Sequence, residues 1–168
     1  EKEMLTHGKA DGEFIRDKVP MTKEEVREVS ICKLKLYEGA VVYDIGSGTG
    51  SIAVEIAGLS DKIKVFAVEH KAEAVSLISG NKEKFELDNI EIVSGKAPDG
   101  LENLPVPTHV FIGGSGGKMK EILSALYQKN PHMRIVMNAI SMETICEIKE
   151  VLSTFSIQNA DVVQMQVS

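Results

Sequence analysis

The stretch Val41-Val42-Tyr43-Asp44-Ile45-Gly46-Ser47-Gly48-Thr49-Gly50 runs an apolar segment into an acid and then into three alternate glycines. Five residues of this kind suit a buried strand. The apolar spacing of Ser51 to Leu59 behind them suits a helix, so the glycines fall at a strand-to-helix turn. Lacking a Cβ, Gly46, Gly48 and Gly50 accept positive φ and let a flat ligand approach the backbone at the carboxyl end of the strand. A tight structural turn would use the same residues. The strand before, the helix after and Asp44 two positions ahead of the first glycine favour a cofactor loop formed by Gly46, Ser47, Gly48, Thr49 and Gly50.

Glu69 lies 23 residues beyond Gly46 and follows the apolar run Val65-Phe66-Ala67-Val68. A carboxylate there accepts both ribose hydroxyls of an adenosine in nucleotide-binding folds; a solvated charge at a strand end is the plainer alternative. A nicotinamide loop of the G-x-G-x-x-G type needs a glycine at position 51, which is Ser51, whereas Gly50 completes G-x-G-x-G. Asp44 would repel a pyrophosphate but can meet a cationic methionine ammonium group. Both features favour S-adenosylmethionine. The loop resembles motif I of class I methyltransferases, and that resemblance implies a Rossmann-like fold with one antiparallel strand near the C-terminus.

Working outward, residues 1–21 read as an irregular arm, polar and with only Phe14, Ile15 and Val19 able to anchor it. Thr22 and Glu25 form a T-x-x-E capping box, in which Thr22 accepts from an early helix amide. A helix with Val26, Val29, Leu34 and Leu36 near one face should follow, ending at Glu38-Gly39. Strands are expected at Val41–Ile45, Ile63–Val68, Ile90–Val93, Val110–Ile112, Ile135–Met137 and Asp161–Val167. Helices are expected at Ser51–Leu59, Ala72–Phe85, Met119–Tyr127 and Met142–Phe155. Alternation of this kind predicts an α/β fold, a doubly wound, mostly parallel sheet with helices on both faces, spanning 22–168. Class I methyltransferases generally have seven strands, so the domain would lack its last one.

Composition narrows the function. Among 168 residues, 19 Lys+Arg against 25 Asp+Glu give a net charge of −6, and a pI near 5.3 argues against nucleic acid or an anionic membrane as partner. No stretch is long and uncharged enough for a transmembrane helix, and no signal peptide opens the chain. Cys32 and Cys146 are far apart, which fits a reducing cytoplasm. His7, His70, His109 and His132 are scattered, so no metal site is expected.

Gly113, Gly114, Ser115, Gly116 and Gly117 follow the fourth expected strand, at the same sheet edge as the cofactor loop. A rim with few side chains suits a bulky, flat substrate pressed towards a methyl donor, although a mobile loop would read alike. No Asp-Pro-Pro-Tyr motif stands here, which removes support for an amino-methylating enzyme.

Several segments occur in one order: Glu13 to Arg16, Val19-Pro20-Met21-Thr22-Lys23-Glu24-Glu25-Val26-Arg27, Asp44 to Gly50, Gly95-Lys96-Ala97-Pro98, and Phe111 to Gly117. Together they resemble the cobalt-precorrin-6B carbon-15 methyltransferase (decarboxylating) family of cobalamin (vitamin B12) biosynthesis, over nearly the whole chain. The resemblance implies methylation of a tetrapyrrole at carbon-15 with loss of carbon dioxide from the ring C acetate. It also implies a homotetramer, and it leaves open a fusion to a carbon-5 methyltransferase domain. It places Thr22, the Gly46 to Gly50 loop, Glu69 and Ala97 around the cofactor. Lys96 departs from the family, which often has an acid there.

Methyl transfer to an electron-rich carbon needs positioning more than acid-base help. Decarboxylation needs a proton donor as well, for which Ser115, Asn138 and Glu143 are candidates by position. A precorrin carries many carboxylates, so Arg16, Lys18, Lys23, Arg27, Lys118 and Lys120 are candidates for its recognition, Arg16 and Lys23 foremost. Rival readings are a class I methyltransferase for another small molecule or RNA, a nicotinamide oxidoreductase, and a domain that only binds S-adenosylmethionine.

Overall fold

The computed structural model describes residues 5–168, so the first four residues of the expected arm lie outside it. Five apolar runs pair side by side: β1 (Val41–Ile45), β2 (Lys64–Glu69), β3 (Ile90–Ser94), β4 (His109–Ile112) and β5 (Arg134–Met137). Their order is β3-β2-β1-β4-β5, and every pairing is parallel. Near-continuous Val/Ile runs of this kind are stable only when both faces are covered.

Five helices cover them: α1 (Glu24–Leu34), α2 (Ser51–Ala57), α3 (Ala72–Lys84), α4 (Met119–Lys129) and α5 (Met142–Thr154). Alternate strand residues point to opposite faces. Val42, Val65 and Ala67 pack with Ile31 and Leu34 of α1, the apolar residues of α2, and Ile78 of α3. Tyr43, Ile45, Phe66 and Val68 pack on the other side with Ile122, Leu123 and Leu126 of α4 and Val151 of α5. Ile45 pairs with both Val68 and Ile112. The carboxyl ends of β1, β2 and β4 are thereby brought level, at the position where α/β sheets bind ligands.

Three expectations are corrected. The Asp161–Val167 run is no strand, because Val162 and Val163 stay exposed with no element over them, leaving its alternating pattern nothing to bury. For the same reason the antiparallel strand near the C-terminus is not formed among the described residues. The Thr22–Glu25 capping box is absent too: α1 begins at Glu24, Lys23 is its N-cap, and no side chain caps it.

The inner face of α1 also differs from expectation. Arg27, Ser30, Ile31 and Leu34 are the buried positions, at the i, i+3, i+4, i+7 spacing of a helix face, while Val26 and Val29 are half-buried. The helix stops at Leu34, with Lys35 in the left-handed conformation, ahead of the expected Glu38-Gly39. A completely buried arginine occupies the place where an apolar residue would be sought, because its charge is met by Asp11 of the arm and by the buried Glu55 of α2, 3.6 Å from its Nε. Its guanidinium donates to Asp11 Oδ1 and Thr22 O, at 3.0 and 2.7 Å, and to Lys9 O. It also stacks over the Phe14 ring at 4.7 Å.

Candidate active site

The glycine loop is fastened before any ligand is considered. Gly46 and Ser47 donate their N–H groups to Val68 O at 3.0 and 3.1 Å, and Gly113 donates to Ile45 O at 2.9 Å. The tips of β1, β2 and β4 thus form one rigid edge.

Gly46, Gly48 and Gly50 have the expected positive φ, at +71°, +60° and +81°, and each also has a protein neighbour close to its Cβ position. A Cβ on Gly46 would stand 2.7 Å from both N and O of Gly114. At Gly48 it would meet Pro20 O at 3.3 Å, and at Gly50 the Ile78 side chain at 3.2 Å. Gly114 differs from all three, since nothing lies within 4 Å of its Cβ position. That face of the β4 rim is open. Gly116 and Gly117 have φ of +58° and +79°, and the Lys96 stem runs 3.3 Å from the Gly116 Cβ position. Lys96 therefore lies along the rim.

Asp44 is buried, with Ser47 Oγ donating to its Oδ2 at 2.7 Å and its Oδ1 without a partner. Burial pushes its pKa up to about 7, and the nearby Glu69 charge adds to the rise; hydrogen bonds from Ser47 and the Ala53 backbone oppose it. A buried carboxyl with an idle oxygen and no counter-ion is suited to a ligand ammonium group.

Glu69 is no solvated charge. It is 7% exposed, its Oε2 accepts from Gly48 N at 2.9 Å, and its Oε1 accepts from His70 N and Lys71 N at 2.9 and 3.0 Å. The carboxylate spans the turn after β2 and the glycine loop. Ala97 is buried among the second cluster, with Tyr43, Phe66 and Leu101.

The other named residues divide sharply. Thr22 is half-buried and presents its carbonyl to Arg27. Ser115 donates to both Glu147 oxygens, at 3.1 and 3.3 Å, and Glu147 also accepts from Met119 N at 3.1 Å. Asn138 is engaged with Ser30 at 3.1 Å. Glu143 is exposed in the first turn of α5. These three candidates are not gathered by hydrogen bonding into one cluster. Glu147 carried no signal in the sequence, since a glutamate at mid-helix is ordinary until the fold sets it under the β4 rim.

Among the cations, Arg16, Lys18 and Lys23 are exposed on the arm and at the start of α1, and Lys118 is half-buried. Lys120 pairs with Glu150 at 3.3 Å. Arg27, fully buried, is withdrawn from substrate recognition. The scattered histidines include one that folding brings to acids: His7 Nδ1 lies 2.6 Å from Glu28 Oε2 and near Glu55. Glu55 in turn accepts from Gly8 N and Lys9 N at 3.0 and 2.6 Å. Cys32 and Cys146 are free thiols.

Residues 13–168 match the family model described as the precorrin methyltransferase domain. The chain belongs to this family. Among precorrin methyltransferase relatives, a probable cobalt-precorrin-6B C(15)-methyltransferase (decarboxylating) of Sulfurisphaera tokodaii is 44% identical, over 84% of this chain and 76% of its own. Its counterpart in Sulfolobus acidocaldarius is 41% identical, over 98% of this chain and 87% of its own. The crystal structure of precorrin-6y C5,15-methyltransferase from Geobacter metallireducens superposes with a TM-score of 0.83 at 38% identity, covering 88% of this chain and 78% of that one. The fold of the precorrin methyltransferase domain, a Rossmann-like class I methyltransferase fold, is the one found here.

Proposed function

We propose that this chain transfers a methyl group from S-adenosylmethionine to carbon-15 of precorrin-6B, or of its cobalt form, and removes the ring C acetate carboxyl as carbon dioxide, in cobalamin biosynthesis. The observation that carries this reading is a single sheet edge on which a glycine loop, a buried acid pair and an open glycine rim adjoin. Relatives across most of the chain, named for that reaction, support it. Residues 22–168 form the methyltransferase domain on this reading, with 1–21 as its arm.

The residues present fit the cofactor. Asp44 offers its idle Oδ1 to the methionine ammonium group, and Glu69, at the end of β2, has one Oε2 lone pair left for a ribose hydroxyl. Gly46, Ser47, Gly48, Thr49 and Gly50 would supply the floor, and the family resemblance adds Thr22 and Ala97 to the cofactor contacts. Bound S-adenosylmethionine supplies an electrophilic methyl group. Gly114, with nothing within 4 Å of its Cβ position, would face the macrocycle, and Arg16, Lys23 and Lys96 would supply positive charge for its carboxylates. Positioning is the main contribution of these residues, since the conjugated ring of the substrate can itself accept the electron pair released by decarboxylation.

No helix among the described residues is long and apolar enough to cross a membrane, and a cytoplasmic enzyme fits the free thiols. The deciding experiment is mass analysis after incubation with S-adenosylmethionine and precorrin-6B. The expected product has gained one methyl group and lost one carbon dioxide. Cofactor binding without any change in substrate mass would reduce the chain to a binding domain.

A further inference from the structure

Asn81 is completely buried in α3, yet all three of its polar bonds leave that helix. Its Oδ1 accepts from Ile15 N at 2.8 Å, and its Nδ2 donates to Ile15 O and Thr49 O, both at 2.8 Å. Ile15 belongs to the arm, and Thr49 to the glycine loop. One side chain therefore ties together two segments that are far apart in sequence. One turn earlier on the same helix face, Ile78 touches the Cβ position of Gly50. Five residues after Ile15, the Pro20 carbonyl lies 3.3 Å from the Cβ position of Gly48. Farther along, Arg27 grips the Thr22 carbonyl. The arm is therefore held against the loop and its neighbours by the buried polar side chains of Asn81, Arg27 and Glu55, with Phe14 as its apolar anchor.

We propose that Asn81 is a positioning residue for the cofactor: by fixing Ile15 and Thr49 to one amide, it makes the arm and the glycine loop a single wall. This rests on the reading of that loop as the S-adenosylmethionine site. The physical reason is the cost of disorder. A loop and an arm that must be ordered when a ligand arrives subtract that ordering from its affinity, and an amide with all its partners in place has removed the cost beforehand. A neighbouring helix could fill the same space with an apolar residue, but that residue would leave the Ile15 and Thr49 backbone groups without partners.

The test is calorimetry of S-adenosylhomocysteine binding to the full chain and to Asn81→Ala, with hydrogen exchange of the arm amides measured in parallel. Asn81→Ala is expected to weaken binding by about tenfold, one factor of ten being about 1.4 kcal/mol. Arm exchange should quicken, and in turnover KM for S-adenosylmethionine should rise while kcat at saturation holds. Ile15→Pro guards against a folding failure. It removes the Ile15 donor at an exposed arm position, and Phe14 ahead of it already has the extended conformation a proline requires. It should shift affinity in the same direction, and the double variant should lose less than the two single losses together. A folded Asn81→Ala chain with faster arm exchange and unchanged affinity would overturn the proposal. If the unaltered chain fails to bind S-adenosylhomocysteine, the reading of the loop fails instead.

Discussion

Asp44 is the residue whose chemistry and stability pull in opposite directions. Its carboxyl has a raised pKa in the folded chain, about 7 against 3.8 for the unperturbed group. Between those values the folded state therefore binds the extra proton. The stability that the protonated form contributes is present in full below about pH 4 and is lost as pH rises through about 7. Thermal melts of Asp44→Asn should lose that dependence, and at pH 8 the melting temperature should rise by about 2–4 °C, the shift expected for roughly 1 kcal/mol in a domain of this size. The same variant should bind S-adenosylmethionine more weakly, because an amide cannot neutralise an ammonium group. In the unaltered chain the ammonium group favours the ionised form, so affinity should increase as pH passes 7, with proton release that calorimetry in buffers of different ionisation enthalpy can measure. Glu69 behaves differently. Its position at a strand end suggests that it is dispensable for packing, but its three backbone donors show otherwise. Glu69→Ala should cost about 1–3 kcal/mol of stability from unpaired N–H groups, and about 1.5–3 kcal/mol of cofactor affinity. Denaturant melts and calorimetry separate the two losses, and an unchanged dissociation constant would leave Glu69 a scaffold residue only.

At the level of elements, the β4 rim offers the cleanest separation of substrate from cofactor. Gly114 has open space at its Cβ position, whereas Gly116 has a φ of +58° and would be strained by any side chain. Gly114→Val should therefore keep its melting temperature and S-adenosylhomocysteine affinity while losing methyl transfer on the order of a hundredfold, as a displacement of about 1 Å at a reacting centre does. Equal losses of binding and turnover would move the rim into the cofactor pocket. The five strands and the helices that cover them were readable in the sequence, because each strand is an apolar run bounded by glycine or charge and each helix carries its own period. The start of α1 was misread, because T-x-x-E satisfies a pattern that the chain does not use: Thr22 turns its carbonyl to Arg27 instead. The tail at 161–167 was misread because alternation describes a strand only where something covers one side of it. Of the proposed site, Asp44, Glu69 and the glycines stand out by spacing. Asn81, Glu147 and the burial of Arg27 could not, since each owes its place to a segment distant in the chain.

Over the whole molecule, apolar surface is unevenly spread. Ile140, Met142, Ile145 and Leu152 are exposed on and beside α5, and among the described residues β5 has no strand on its outer side. Apolar surface and a free strand edge together suit a surface that another copy covers. The family resemblance implies a homotetramer, which native mass measurement at micromolar concentration checks; charged substitutions at Ile140 and Ile145 should shift any oligomer towards smaller species without unfolding the domain. A monomer at all concentrations would contradict what the resemblance implies. Net charge of −6 sets a further condition at this scale. A polycarboxylate substrate approaches a like-charged protein, so raising salt should reduce that repulsion while also weakening local attraction at Lys96 and the arm.

The contact between Gly46 and Gly114 has a consequence for how such a chain can change over generations. Two backbones meet there with no room between them, so the cofactor half is locked to its neighbour and a mutation at Gly46 is closed to drift. On its other side Gly114 is unconstrained by the protein. On the proposed function, a single codon can therefore reshape what the rim admits while the glycine loop stays as it is, and a lineage can try new acceptors without first giving up its methyl donor.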